Sequence, residues 1–227
     1  PALRAAIAAR TSAETGGTFG PEHVLLTTGA MQALELVGKV LVDPGELIVA
    51  QFPTYMGALD AWRPREPTYE RLRWDPADPT PEAALRTAKM VYAVPNFSNP
   101  TGVLVPQAHR EALLERVLRT GSWLVEDDPY HVLQLDGPAG PGLLDLDVAE
   151  RGAAPYDGPV VYLGTLSKAL APGFRVGWAV AEPEMIRMLA LTKQGSDLSS
   201  SMFAQAVALE LLEDRFDERH RPRIVAL

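Results

Sequence analysis

The chain has 227 residues, with 21 Lys and Arg against 29 Asp and Glu for a net charge of -8, and 47% of it is hydrophobic. That balance excludes a disordered chain, supplies a core for one large domain or two small ones, and argues against broad attraction to nucleic acid or an anionic membrane. There is no Cys and hence no thiolate chemistry, the 4 His are scattered at His23, His109, His131 and His220, and no apolar run approaches the roughly 18 residues of a membrane span.

The opening PALRAAIAAR reads as a short amphipathic helix, not a targeting segment. HVLLTT follows as a strand, GAMQALELVGKVL as a helix closed by a DPG turn, and ELIVAQ as a second strand. YMGALDAW is helical up to Pro64, PTYERLRW extended, and PEAALRT a short helix with a favourable Pro at its start. KMVYAVP and SWLVEDD are strands on either side of the long helix PQAHREALLERVLRT, and YHVLQL is a weaker strand.

Residues 136–159 are rich in Gly, Pro and Asp and read as a surface excursion with one or two helical turns near LLDLDVAE. PVVYLGT and FRVGWAVA are strands, and EPEMIRMLALTKQG and MFAQAVALELLEDRF the closing helices, with Pro222 interrupting any continuation. Apolar strands separated by helices predict an α/β fold, a mostly parallel sheet sandwiched by helices. The chain begins without Met and reads as part of a longer one.

Four places carry candidate chemistry. In TTGAMQ, residues 27–32, a strand runs through a glycine into a helix, so backbone N–H groups face whatever lies beyond the strand; an ordinary turn capped by Thr28 is the alternative. It is neither a Walker loop nor G-x-G-x-x-G, and no G-x-S-x-G elbow occurs. SNPTG, residues 98–102, follows a strand and reads by itself as a turn. EDDPY puts carboxylates at the carboxyl end of an apolar strand, where open α/β sheets bind ligands; a solvated strand end explains Asp128 equally well, whereas Asp127 is harder to dismiss if the strand phase buries it. In GTLSKALAPGFRVGW, residues 164–178, Lys168 and Arg175 interrupt apolar text, where such charges need a partner or a function.

Taken as a set and in order, TTGAMQ, FPTY, SNPTG, EDDPY and TLSKALAPGFRVGW resemble the motif series of the fold-type I pyridoxal-phosphate enzymes, class I and II aminotransferases, over essentially the whole chain. FPTYMGAL and KALAPGFR look most similar to the α-aminoadipate and kynurenine aminotransferase branch. The resemblance implies the large cofactor-binding domain of the aspartate-aminotransferase-like fold over residues 1–212, incomplete at its start, with 213–227 leading to a small domain. It implies pyridoxal 5'-phosphate as cofactor and no metal. Lys168 would form the aldimine and serve as general base, Asp127 would meet the ring nitrogen, and Asn99 and Tyr130 the ring hydroxylate. Tyr55 would stack on the ring. Gly29, Ala30, Met31, Thr165, Ser167 and Arg175 would hold the phosphate; Ser or Gln is common in the family at positions 30 and 31, so only backbone donation carries over there.

The implied activity is transfer of an amino group between an α-amino acid and a 2-oxo acid by a cytoplasmic homodimer, with no membrane or nucleic-acid contact by this segment. A β-lyase acting on C–S bonds, or the aminotransferase-like effector domain of a winged-helix regulator, would keep the same residues. The arginine that binds the substrate carboxylate is expected beyond Leu227, and a tyrosine reaching the neighbouring subunit before Pro1.

Overall fold

The computed structural model describes residues 2–133, 139–152 and 154–226. Seven strands among them form one sheet: β1 (Val24–Thr27), β2 (Leu47–Gln51), β3 (Thr68–Leu72), β4 (Met90–Ala93), β5 (Trp123–Asp127), β6 (Val160–Thr165) and β7 (Gly177–Val180). Their spatial order is β1-β7-β6-β5-β4-β2-β3. Neighbours from β6 to β3 run parallel, while β7 is antiparallel to both β6 and β1. β4 is buried at every position, as a strand covered on both faces must be, whereas the edge strand β3 exposes Thr68, Tyr69 and Arg71.

Helices cover both faces. On one lie α1 (Ala2–Thr15), α4 (Glu82–Thr87), α5 (Gln107–Thr120), α6 (Leu143–Arg151) and α8 (Met202–Glu213), packing Ile7, Leu85, Val117, Leu143 and Ala208 against Val49, Val91, Leu124 and Val160. On the other lie α2 (Ala30–Leu41), α3 (Met56–Trp62) and α7 (Pro183–Gln194), whose Leu34, Trp62 and Leu189 cover Ile48, Tyr92, Val125 and Leu163. The expected α/β sandwich with a mostly parallel sheet is the architecture found.

Several local expectations change. His131–Leu133 form a 3-10 turn where a weak strand was expected over YHVLQL; residues 134 and 135 of that stretch, and 136–138 of the Gly/Pro-rich stretch after it, lie outside the described ones. The strand expected from Phe174 starts only at Gly177, because Pro172–Phe174 make a 3-10 turn and Arg175 is left-handed at φ 50°. α3 ends at Trp62, and Pro64 sits within the 3-10 turn that follows. LLDLDVAE belongs to α6, nine residues long. The last helix breaks earlier than expected: α8 stops at Glu213, Arg215 is left-handed, and α9 (Phe216–Val225) runs through Pro222.

Two buried polar side chains fix the loop that leaves β4 and carries SNPTG. Gln51, at the end of β2, accepts from the Val94 amide at 3.0 Å and donates to Ser98 Oγ at 2.7 Å. Arg110 of α5, 1% exposed, donates to the carbonyls of Val105, Pro95 and Pro141 and to Asn96 Oδ1, at 2.8 to 3.2 Å. A guanidinium is the only side chain with enough donors for this fork of acceptors. Arg110→Met should therefore strand several buried oxygens and cost about 2–4 kcal/mol in urea unfolding; a loss below about 1 kcal/mol would show that water or relaxation replaces it.

Candidate active site

The chain's chemistry-bearing residues meet at the carboxyl ends of β1, β2, β4, β5 and β6, the end of an open α/β sheet where turns leave backbone groups unpaired. Ala30, Met31, Tyr55, Asn99, Asp127, Tyr130, Thr165, Ser167, Lys168 and Arg175 line one cavity of about 190 Å³, together with Val94, Pro129 and Pro172. Gly29, the remaining candidate, lies under the Arg175 guanidinium at its edge.

The turn from β1 into α2 is shaped by glycine. Gly29, not Thr28, is the N-cap residue, and its φ of 83° is one that a side chain resists. A Cβ there would also collide with the Arg175 guanidinium, and a Cβ on Gly177 would lie 2.7 Å from the Gly29 carbonyl carbon. This close approach leaves the Ala30 and Met31 amides at the open start of α2, facing the cavity. Arg175 Nη2 donates to the Thr28 carbonyl at 3.2 Å, so one positive side chain and a helix N-terminus converge. Thr165 ends β6; its hydroxyl accepts from the Ser167 amide at 3.1 Å and lies 3.0 Å from the Ser167 hydroxyl.

Strand phase separates the three acids of EDDPY. Asp127 points to the cavity, 4% exposed; Oδ2 accepts from the Tyr92 hydroxyl at 2.7 Å while Oδ1 has no partner. Burial raises its carboxyl to about 6, and the Tyr92 hydrogen bond works against that rise. Glu126 and Asp128 face the other side, and Asp128 is buried, not a solvated strand end. Asp128 pairs with His131 at 2.6 Å; burial opposes the imidazolium, but the adjacent carboxylate prevails and lifts His131 to about 9. Glu126 accepts from the Leu143 and Leu144 amides at the start of α6. A larger cavity of about 340 Å³ opens on that face, yet Glu126 and Asp128 there already have these structural partners, and no group of three or more His, Asp or Glu suited to a metal occurs among the described residues.

At the cavity's mouth, Lys168 is exposed, with Nζ 5.7 Å from the centroid of the Tyr130 ring. The apolar text around it forms the turn, leaving the amine itself accessible. Tyr130 is half-buried; burial raises its phenol, and a hydrogen bond with Asn99 partly offsets this. Tyr55 sits just before α3, not on the helix, and its hydroxyl reaches Met31 Sδ at 3.4 Å.

With this geometry, the sequence matches the family "Aminotransferase class I and II" over residues 1–223. The chain belongs to the class I and II aminotransferases. Among members of this aminotransferase family, a 2-aminoadipate transaminase of Thermus thermophilus is 42% identical over 204 residues, covering 88% of this chain and 50% of that protein. Aromatic-amino-acid aminotransferase 1 of Thermococcus litoralis is 36% identical over 212 residues, with coverages of 89% and 49%. The crystal structure of the Thermus thermophilus α-aminoadipate aminotransferase LysN, complexed with N-(5'-phosphopyridoxyl)-L-leucine, superposes with a TM-score of 0.85 at 38% identity, covering 99% of this chain and 56% of that one. The chain thus spans about half the length of the relatives it matches. It stands beside the α-aminoadipate and kynurenine branch of the aminotransferases.

Tyr92 is absent from the motif reading, because a tyrosine inside the apolar run MVYA carries no mark of a polar role. Its hydroxyl is nevertheless the one hydrogen-bond donor to the Asp127 carboxylate among the described residues. Asp127 also gives the site a pH signature. The folded chain keeps that proton up to about pH 6 against an ordinary 3.8, so the native state binds more protons across that window and stability falls as pH rises through it. Asp127→Asn, without added cofactor, should flatten the fall by roughly 3 kcal/mol between pH 4 and 7 in urea unfolding. Equal slopes in wild type and variant would remove the assignment.

Proposed function

We propose that this chain is the cofactor-binding part of a pyridoxal 5'-phosphate aminotransferase that moves an amino group between an α-amino acid and a 2-oxo acid. The observation that carries the reading is Asp127: a buried carboxylate with one oxygen pinned by Tyr92 and the other unpartnered, in the cavity that also holds Lys168 and the start of α2. Such an oxygen suits a protonated ring nitrogen, and the helix start with Arg175 suits a phosphate. The donor set therefore fits pyridoxal phosphate from both ends.

When bound, that cofactor supplies the aldehyde and the ring that spreads the electron pair left at the substrate Cα. The chain's own residues do the rest. The amides of Gly29, Ala30 and Met31, the hydroxyls of Thr165 and Ser167, and the Arg175 guanidinium hold the phosphate. Tyr55 lays its ring against the pyridine face. Asn99 and Tyr130 donate to the ring oxygen, and Asp127 accepts from the ring N–H and keeps that proton in place. Lys168 would provide the amine that holds the cofactor's aldehyde carbon, and its free Nζ would be the base placed to take the substrate Cα proton.

Residues 1–212 are read as the large domain and 213–227 as the connection to a small one, consistent with the left-handed break at Arg215 between α8 and α9. The working assembly is read as a homodimer, since Leu198, Met202 and Phe203 are 93%, 64% and 80% exposed within six residues, an apolar edge that a second copy would cover. Its setting is read as cytoplasmic, where small amino and oxo acids exchange.

The decisive experiment uses the full-length protein. With pyridoxal phosphate it should show visible absorbance that Lys168→Ala loses, and it should transfer nitrogen from 2-aminoadipate or an aromatic amino acid to 2-oxoglutarate. Lys168→Ala should lower that rate by roughly 10⁴-fold or more. Pyruvate and ammonia without a transferred amino group would make it a lyase. Absorbance without turnover, with an upstream DNA-binding module, would make it a regulator's effector domain. No absorbance change between wild type and variant would overturn the cofactor reading.

A further inference from the structure

Behind the turn that opens α2, Thr28 and Gln32 of TTGAMQ join a chain of polar side chains whose other members, Lys193 and Asp197, no site motif includes. Lys193, in the last turn of α7, is 6% exposed, and its ammonium is bonded to Asp197 Oδ1. The other carboxylate oxygen, Oδ2, accepts from Gln32 Nε2 at 3.0 Å and from the Thr28 hydroxyl at 3.3 Å. Gln32 Oε1 in turn accepts from the Thr28 amide at 2.8 Å, and the Thr28 carbonyl accepts from Arg175 Nη2 at 3.2 Å. Burial would raise the Asp197 carboxyl, yet bonds from Lys193, Gln32 and Thr28 outweigh it and hold the group below its ordinary value.

The connectivity dictates what each group can do. Asp197 only accepts, so it orients the Gln32 amide with nitrogen toward itself and oxygen toward Thr28. Gln32 therefore takes the Thr28 N–H, and its own backbone N–H goes to the Gly29 carbonyl at 3.2 Å. The donors left pointing outward at this turn are those of Ala30 and Met31, with Arg175 aimed at the same place from the far side of Thr28. A salt bridge on α7, outside the cavity, thus sets the direction of the anion-binding groups inside it.

We infer that Asp197, anchored by Lys193 and acting through Gln32 and Thr28, is a positioning residue for the phosphate end of the cofactor. The inference rests on the phosphate reading of that turn given above. Its effect is on the affinity for a phosphate, while Lys168, Asp127 and the ring contacts lie beyond its reach.

The test compares pyridoxal 5'-phosphate with pyridoxal, which carries the same ring and aldehyde without the phosphate, on the full-length apo-protein by equilibrium titration of the visible band. Asp197→Ala and Gln32→Ala should each weaken pyridoxal phosphate about 10-fold and leave pyridoxal unchanged. Because both act through one bond, the double variant should also be weakened about 10-fold, not about 100-fold. Gln32→Ala, at a half-buried helical position, keeps the test open should Asp197→Ala fail to fold. Equal weakening for both ligands, additive losses, or no loss would overturn the positioning role. A wild-type protein that binds pyridoxal as tightly as its phosphate would instead overturn the phosphate reading itself.

Discussion

The structure turns on one unsatisfied oxygen. Asp127 ends β5, fourth of the seven strands, where a carboxylate is buried between helical layers and only one of its oxygens is paired. A buried acceptor without a donor costs about 1–3 kcal/mol, and a buried charge more, which is why its proton is held to about pH 6. The surrounding sheet supplies the stability that tolerates this. Val125, two residues earlier on the same face, is fully covered, and Tyr92 on the neighbouring strand gives up its hydroxyl to Asp127. The orphan oxygen is then a preformed acceptor, rigid because its partner oxygen cannot turn without losing Tyr92.

The alternation of the strand does the rest of the sorting. Glu126 and Asp128, one residue to either side, project to the opposite face, where α6 amides and His131 compensate them. Three consecutive acids therefore split into two structural groups and one left for a ligand. A one-residue slip of β5 against β4 would exchange these faces, placing two acids in the cavity and one among the helices. The paired register from Met90–Trp123 to Ala93–Glu126 thus fixes site chemistry as much as it fixes packing.

Legibility followed how local each feature is. Strands such as KMVYAVP and PVVYLGT and helices such as PQAHREALLERVLRT were readable because period and composition agree within one segment. The candidate residues that share the cavity were readable because their motifs stand at strand ends, and strand ends in such sheets converge. What escaped depends on partners distant in sequence. Tyr92 looks apolar until Asp127 is beside it, and Lys193 and Asp197 look like a solvated helix end until Gln32 and Thr28 meet them from 165 and 169 residues away. Arg175 was expected within a strand because FRVGWAVA is a short, mostly apolar run. The turn at Pro172–Phe174 overrides that pattern and delivers the guanidinium to the cavity. The reversal of β7 was equally hidden, since direction leaves no trace in composition.

That reversal also explains why the end of the cavity at the start of α2 is so tightly built. A parallel β7 would present its carboxyl end to the cavity, with a crossover of a dozen or more residues to bring the chain back. Antiparallel β7 instead begins there, at Gly177, paired with Thr165 on one side and Thr27 on the other. The ends of β6 and β1 are thereby held one strand apart, and the short link from Lys168 to Gly177 must fold over the gap between them. Arg175, two residues before the strand starts, has nowhere to go but across the Gly29 turn, and its left-handed backbone is the local cost of that reach. The Lys168 amine and the Arg175 guanidinium thus come from one short segment whose geometry is set by the strand that follows it.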